Sequence, residues 1–240
     1  MTVEVCANSL ESAINAETAG ADRIELCTEL GVGGLTPSYG LIKEARKRLN
    51  IPIHVLIRPR SGDFTYSADE FGIMKQDIAV CGDLGVDGIV CGVLHADGTL
   101  DEERTKELLE CTGELRFTFH RAFDWAKDAL NTAMLLEQMG ADHILTSGQQ
   151  TSAVAGLPLL TQLQKQLTRC ALIPAGGIRP ENAYQFKEKG FQNLHLSAVR
   201  FRQTLADMPA IPMNSPSFLQ EGQIGISDPQ VIQKVLEIVK

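Results

Sequence analysis

Three apolar stretches of the chain each finish in an arginine, and these three ends carry many of the residues that could do chemistry. An apolar run of this kind suits a strand that is buried on both faces, so each arginine marks the point where a strand leaves the core. Guanidinium groups gathered at one place would bind a carboxylate or a phosphate. The three stretches are residues 51–60, 117–124 and 172–180.

The elements that must position these arginines alternate between strand and helix along the chain. The alternation predicts a parallel sheet covered by helices. A helix stop, a turn and a strand recur at 20–24, 85–89, 140–144 and 190–194, and this repeat favours a closed barrel. The predicted fold is α/β, a TIM (β/α)8 barrel forming a single domain over 1–240, with a long irregular segment at about 202–227 before the last helix. Strands are predicted at 3–7, 22–27, 51–56, 87–91, 115–120, 143–146, 170–175 and 191–196.

Composition and charge exclude several classes of protein. The net charge of -8 argues against a nucleic-acid binder, which needs a basic surface. No apolar run is long enough to cross a membrane, and the N-terminus lacks the basic segment of a signal peptide. The first strand is not followed by GxGxxG, so no organic cofactor is indicated. We therefore expect a cytoplasmic protein whose partner is a small molecule or an ion.

The barrel fold places an active site at the carboxyl ends of its strands. In that position Glu25 or His120 could be a general acid or base, oriented by Asp63 or Asp124. Each has a structural alternative, since ion pairs that only satisfy buried charges occupy similar places. The glycines after the seventh strand would let backbone N–H groups approach an anion at a helix start. The residues predicted to bind an anionic metabolite are Arg58, Arg60, Arg121, Ser147, Gly176, Gly177, Arg179, His195 and Ser197.

Two of the six cysteines, Cys6 and Cys27, end neighbouring strands. If both thiols point into the barrel, they could hold one soft ion such as Cu(I). On spacing alone, the commoner interpretation is a pair of buried core cysteines. The six cysteines form no CxxC motif and show no zinc-finger spacing.

Several short motifs lie at or near these strand ends: Glu4-Val5-Cys6, Ala21-Asp22-Arg23-Ile24-Glu25-Leu26-Cys27, Gly33-Gly34-Leu35-Thr36-Pro37-Ser38, Ile57-Arg58-Pro59-Arg60, Gly62-Asp63-Phe64, Tyr66-Ser67, Thr118-Phe119-His120-Arg121-Ala122-Phe123-Asp124 and Leu145-Thr146-Ser147-Gly148. Together they resemble the motifs of the CutC family, named for copper homeostasis, and the resemblance covers about residues 3 to 200. It implies a TIM barrel, a cytoplasmic location, a homo-oligomer with a dimer favoured, and copper binding at Cys6 and Cys27. Ala7 stands where some members carry a second cysteine.

Two hypotheses of function stay open at this point. One is a copper-homeostasis protein that binds Cu(I) through the cysteine pair. The other is a barrel enzyme acting on a phosphorylated or carboxylated metabolite, with Arg58, Arg60 and Arg179 holding the anion. The residues alone favour the second, because copper has no use for a group of arginines.

Overall fold

The structure is a computed structural model, and it describes residues 1–208, 210, 211, 213 and 222–240. Eight short parallel strands form the barrel wall, and each consists of four to six residues. They are β1 (Thr2–Ala7), β2 (Arg23–Leu26), β3 (Ile53–Leu56), β4 (Gly88–Cys91), β5 (Arg116–Phe119), β6 (His143–Thr146), β7 (Ala171–Pro174) and β8 (Asn193–Leu196).

The backbone ladder runs from β7 through β6, β5, β4, β3, β2 and β1 to β8. Only the seam between β7 and β8 falls outside this order, and there Asn193 Nδ2 donates to the carbonyl oxygen of Leu172 at 3.3 Å. Eight parallel strands in this order are the nearly closed wall of a TIM barrel, which confirms the predicted fold.

Eight helices cover the outside of this wall within the described residues. Apolar residues from the helices and from the outward faces of the strands form the main core between the two layers. None of these helices is long and apolar enough to cross a membrane. They are α1 (Leu10–Thr18), α2 (Tyr39–Arg48), α3 (Ala68–Asp83), α4 (Glu102–Thr112), α5 (Ala129–Met139), α6 (Leu157–Gln166), α7 (Pro180–Glu188) and α8 (Pro229–Val239).

Two helix starts differ from the expected positions. A threonine and a proline at 36 and 37 predict the start of α2, but the helix begins after Ser38, because the Thr36 hydroxyl accepts from the backbone N–H of Arg58 at 2.8 Å. The spacing of Thr99 and Glu102 predicts Thr99 as the cap of α4, but Asp101 caps it, because the Thr99 hydroxyl donates to Asp97 at 2.7 Å. In both cases the threonine hydroxyl is already occupied in a neighbouring loop.

The predicted irregular segment at about 202–227 is bounded by strands that the sequence did not reveal. β9 (Val199–Gln203) and β10 (Gln223–Ser227) pair antiparallel, with Val199 opposite Ser227. This hairpin rests on α1, since Asn15 Nδ2 donates to the carbonyl oxygen of Ser227 at 3.1 Å. Residues 204–208 are in neither helix nor strand. The part of the prediction that falls on 209, 212 and 214–221 lies outside the described residues.

The inside of the barrel is lined by alternate residues of each strand. Its apolar residues are few and fall into two small groups, Cys6, Cys27, Leu56 and Val90 on one side and Leu145, Ile173 and Ala175 on the other. The interior also carries buried charged and polar side chains: Glu4, Arg23, Glu25, His54, Thr118 and His195.

Candidate functional site

A cavity of about 300 Å³ opens at the carboxyl ends of the barrel strands. This volume is at the small end of the range for ligand pockets. A wider groove of about 1160 Å³ lies beside it, along the β9–β10 hairpin, and shares Arg179 and Ser197 with it. The cavity brings together these predicted site residues: Cys6, Glu25, Arg58, His120, Arg121, Gly176, Gly177, Arg179, His195 and Ser197.

Cys6 and Cys27 face each other, with their Sγ atoms 3.5 Å apart. Both are free thiols and both are buried. The register of β1 and β2 sets Cys6 opposite Glu25, so Cys27 lies just beyond the strand, where its N–H donates to Ala7. The hydrogen bond with Cys27, together with burial, raises the pKa of the Cys6 thiol well above its ordinary value. Cys6 therefore holds its proton at neutral pH unless a cation displaces it.

His195 lies between two carboxylates at the same end of the barrel. Its Nδ1 is 2.7 Å from Glu4 Oε1, and its Nε2 is 3.4 Å from Glu25 Oε2. Burial opposes a charge on this ring, but hydrogen bonds with Cys6 and Glu4 and the nearby carboxylate charges raise the pKa of His195 well above its ordinary value. The ligand atoms of Cys6, Glu25 and His195 lie within 4.8 Å of one another.

Glu4 orients this histidine from below. Its second carboxylate oxygen accepts from Arg23 Nε at 2.5 Å, so both oxygens are occupied. Burial alone would raise the pKa of Glu4, but the charge of Arg23 and the hydrogen bond with His195 bring it well below its ordinary value. Glu4 and Arg23 are not among the site residues predicted from the sequence. The sequence did contain a signal for both residues. Glu4 lies two positions before Cys6, and Arg23 lies two positions before Glu25, so each shares a strand face with a predicted site residue.

Arg58 is 5% exposed and is held by backbone oxygens. Its two Nη atoms donate to the carbonyls of Val32, Gly34 and Gly62 at 2.7–3.0 Å. The guanidinium carbon also lies 5.0 Å from the centre of the Phe64 ring. Arg58 therefore fastens the loops after β2 and β3 together and still presents its charge to the cavity.

His120 lines the cavity next to Phe64 and is 4% exposed. Its Nδ1 accepts from the N–H of Ala122 at 3.2 Å, and its Nε2 has no partner in the described chain. Burial and the charge of Arg58 lower the pKa of His120 to about 3. The ring is therefore neutral at physiological pH, with its proton on Nε2. Gly92 makes room for it, because a Cβ at that position would lie 2.7 Å from His120 Nδ1.

Arg60 and Asp63 do not line the cavity. Arg60 donates to Glu70 at 2.6 Å and to Asp63 at 3.0 Å, while Asp63 also accepts from the backbone and the hydroxyl of Thr65. The side chain of Asp63 is 56% exposed. The two residues fix the turn before α3, so the geometry disfavours the anion-binding and orienting roles that the sequence suggested for them.

Asp124 is a buried anchor between two loops. Its carboxylate accepts from Thr146 Oγ1 at 2.5 Å, from Ser147 through both N–H and Oγ, and from Gln149 N–H at 3.1 Å. Arg121 donates to it at 2.8 Å and to Ser147 Oγ at 3.0 Å. Asp124 and Ser147 hold the rim in place from outside the cavity, while Arg121 reaches the lining.

The loops after β7 and β8 form the remaining wall. Gly176 and Gly177 have φ values of 98° and 74°, which favour glycine. Gly176 also approaches a neighbouring loop closely, because a Cβ there would lie 3.3 Å from Ser147 Cβ. Arg179 precedes α7 and is exposed, while Ser197 follows β8 and is half-buried.

Comparisons with known proteins agree with this architecture. A sequence model of the CutC family matches residues 1–200. A protein named CutC from Edwardsiella ictaluri (strain 93-146) is 50% identical over 199 residues, which cover 82% of this chain and 79% of the relative. Another, from Glaesserella parasuis serovar 5 (strain SH0165), is 40% identical over 242 residues, covering 100% of this chain and 99% of the relative.

Solved structures give the same result. The crystal structure of CutC from Streptococcus agalactiae superposes with a TM-score of 0.78 at 33% identity, covering 82% of this chain and 98% of that one. The 3-hexulose-6-phosphate synthase of Salmonella typhimurium superposes with a TM-score of 0.62 at 13% identity, covering 100% of this chain and 98% of the other. The second likeness concerns the fold alone.

Proposed function

The chain belongs to the CutC family, and from that premise we propose that it binds Cu(I) between Cys6 and Cys27, as a buffer or carrier in copper homeostasis. The observation that carries the proposal is the pair of facing sulfur atoms, 3.5 Å apart, at the edge of a cavity. Two soft sulfur ligands suit Cu(I), and an imidazole is compatible with it. His195 is the nearest nitrogen donor to Cys6 in this group.

The hydrogen bonding of His195 also supports a metal site. A histidine that binds a metal usually gives its other ring nitrogen to a carboxylate, which fixes the orientation of the ring. Here Glu4 occupies Nδ1 and leaves Nε2 on the side of Glu25. Glu25 is a hard oxygen donor, so we do not assign it as a ligand of Cu(I).

The test is an anaerobic titration of the reduced protein with Cu(I) against a competing chelator. Cys111 is the exposed cysteine of the six and could bind copper adventitiously, so every protein in the series carries Cys111→Ser. We expect one Cu(I) per chain in this background and loss of that binding in Cys6→Ser/Cys27→Ser. A matched control is Cys81→Ser, a buried cysteine on α3, which should leave the affinity unchanged.

Equal affinity in the background protein and the Cys6→Ser/Cys27→Ser variant would refute the copper proposal. Zn(II) titrated in parallel tests the identity of the metal, because zinc also binds cysteine, histidine and carboxylate ligands. Suppose that Cu(I) binds weakly and that Zn(II) binds tightly enough to compete with the zinc ligands of the cell. Zinc would then replace copper as the proposed metal.

We also propose a cytoplasmic location and a homodimer. Six reduced cysteines suit a reducing compartment. For the dimer, the β9–β10 hairpin exposes Phe201 and Ile224, which would be favourable to bury against a second copy. Light scattering on the native chain and on Phe201→Ser tests this contact. A monomer in both, or a dimer that the substitution leaves intact, contradicts the hairpin as the contact.

The alternative function, an enzyme acting on an anionic metabolite, remains a prediction. The feature that favours it is the buried His120, whose Nε2 hydrogen has no partner among the described residues. A copper site at Cys6 and Cys27 would not provide an acceptor for that hydrogen.

A further inference from the structure

One stretch of the cavity lining contains backbone N–H groups that form no hydrogen bond within the described chain. The N–H groups of Gly176, Gly177 and Ile178 follow one another between β7 and α7 and make no hydrogen bond to any described residue. The Ser197 hydroxyl, on the neighbouring loop, is likewise without a described partner. Consecutive N–H groups next to the start of a helix attract an anion, because they point partial positive charge at it.

Two arginines add full positive charge to the same cavity. Arg58 is buried and, within the described ranges, pairs with no carboxylate, since its Nη atoms donate only to carbonyl oxygens. Arg179 is exposed beside the cavity, and its side chain makes no ion pair with a described residue. A buried cation without a counter-charge is costly, and an anion in the cavity would reduce that cost.

His120 gives the independent evidence that a ligand belongs here. Its side chain is 4% exposed and lines the cavity, yet its Nε2 hydrogen is left without an acceptor in the described structure. Because Nδ1 already accepts from Ala122, Nε2 can act only as a donor in the neutral ring. A buried donor without an acceptor costs roughly as much as a lost hydrogen bond, so an acceptor from a ligand is expected at this point.

We propose that the cavity binds a small phosphorylated metabolite, independently of any copper. Its phosphate group lies on the loop of Gly176, Gly177 and Ile178, where Ser197 and Arg179 also donate. A second oxygen of the same molecule, from a carboxylate or a carbonyl group, accepts from His120 near the charge of Arg58. Three oxygens on a phosphate match several donors arranged around one point, whereas a carboxylate can use fewer of them.

The position in the fold agrees with this assignment. TIM barrels frequently bind phosphate between the loops after the seventh and eighth strands, next to the start of a short helix. In this chain Gly176 and Gly177 lie between β7 and the nine-residue helix α7, and Ser197 lies in the loop after β8. Cys6 and Glu25 reach the cavity from β1 and β2, whereas the proposed phosphate donors lie on the loops after β7 and β8.

The experiment is calorimetric titration of the reduced protein, with a chelator present to keep it free of metal. The probes are inorganic phosphate, phosphoglycolate and glycolate. We expect phosphoglycolate to bind about tenfold more tightly than phosphate, because it adds an acceptor for His120. Glycolate, which lacks the phosphate, should bind at least tenfold more weakly than phosphoglycolate. The Cys6→Ser/Cys27→Ser variant should bind all three probes as the native protein does, so this result is independent of the copper test.

Two pairs of variants test the assigned donors. Arg179→Gln should weaken phosphate and phosphoglycolate about tenfold, while Lys189→Gln, the same change of charge at the other end of α7, should not. His120→Asn keeps an acceptor for the N–H of Ala122 but removes the far donor, and it should weaken phosphoglycolate about tenfold and leave phosphate unchanged. His120→Gln restores a donor near the Nε2 position and should recover part of that loss.

Three results would each overturn the proposal. One is the absence of binding by phosphate and phosphoglycolate up to about 10 mM, which is weaker than a specific site should be. Another is equal affinity for glycolate and phosphoglycolate, which would identify a carboxylate site instead. The third is native affinity for both phosphate probes in Arg179→Gln and in Ser197→Ala.

Discussion

Glu4→Gln is the substitution whose effect the structure determines most directly. Glu4 is 1% exposed, and its two oxygens bind Arg23 and His195 at 2.5 and 2.7 Å. Glutamine has nearly the same shape, so the change removes the charge without leaving a cavity. Arg23 cannot lose its proton, and it would remain 9% exposed without a counter-charge. His195 can respond by releasing its proton, so its pKa should fall.

The expected loss of stability comes from removing one charged partner of a buried ion pair. Such changes cost about 3–5 kcal/mol, because the remaining charge is buried and uncompensated. We place Glu4→Gln at the lower end, about 3 kcal/mol, because His195 can become neutral and the variant amide can still accept from Arg23 Nε. This is a large part of the total stability of a domain.

Urea unfolding at pH 7, followed by circular dichroism, measures the loss. The matched control is Glu11→Gln, because Glu11 also pairs with an arginine, Arg202, but its side chain is 49% exposed. That control should cost less than about 1 kcal/mol. The pH dependence gives a second test, since the pKa of Glu4 in the folded chain lies well below its ordinary value of 4.5. Its contribution is present above that ordinary value and is lost as the pH falls below it, so native protein and variant should converge in acid.

The double variant Glu4→Gln/Arg23→Met tests whether the loss of stability comes from the uncompensated charge of Arg23. Replacing a whole buried pair is often nearly neutral, so the second change should recover at least half of the stability lost in Glu4→Gln. A loss below about 1 kcal/mol in Glu4→Gln, or no recovery in the double variant, would refute the view that Glu4 balances Arg23 and His195.

Three further outcomes follow from the same structure. Gly92→Ala should destabilise the protein by about 1–3 kcal/mol in thermal unfolding, since a Cβ there would lie 2.7 Å from His120 Nδ1; native stability would contradict this packing. Asp124→Asn should cost about 2–3 kcal/mol, because it breaks a buried carboxylate away from its donors, whereas Asp63→Asn, with a side chain that is 56% exposed, should cost under about 1 kcal/mol; equal effects would argue against the anchor role. Burial lowers the pKa of His54 to about 4 from 6.5, so the unfolded chain takes up the proton first, and His54 alone should account for a fall in stability of about 2 kcal/mol between pH 7 and pH 5; a His54→Gln variant that loses as much stability as the native protein over this range would contradict that origin.

The barrel could be predicted because its strands and helices alternate in the sequence at nearly regular spacing. The glycines that stop helices before alternate strands, such as Gly20 and Gly140, mark the repeat, and both have positive φ in the structure. The β9–β10 hairpin could not be predicted in the same way. Its strands are mostly exposed, with Arg200 and Arg202 on the surface, so they lack the apolar pattern that identifies a buried strand.

The rule that selects strand ends found most residues of the cavity but could not rank them. It selected both Arg58 and Arg60, which are two residues apart in the sequence, although only Arg58 of the two lines the cavity. The outcome depends on Glu70, a residue in the next helix that draws Arg60 away at 2.6 Å. A partner supplied by a different element is a tertiary fact, and the local pattern around an arginine does not contain it.

The interior layer below the cavity was missed for a related reason. Glu4, Arg23 and His54 lie in short strands where polar residues are interspersed with apolar ones. In so short a strand, the sequence alone does not show whether a polar side chain points outward to the helices or inward to the barrel. Only the register, which sets Glu4 opposite both Arg23 and His195, shows that these side chains meet.

The two proposed sites make different demands on the protein, and this separates them. Copper needs the sulfur atoms of Cys6 and Cys27 and gains nothing from a neutral His120 that can only donate. The phosphate site needs the donors around Gly177 and gains nothing from the two thiols. In a barrel that bound copper alone, the buried Arg58 without a counter-charge would lower the stability of the protein and would have no role in binding. The structure therefore supports a small anionic ligand at the donors around Gly177 more strongly than it supports copper there, whichever result the titration with Cu(I) returns.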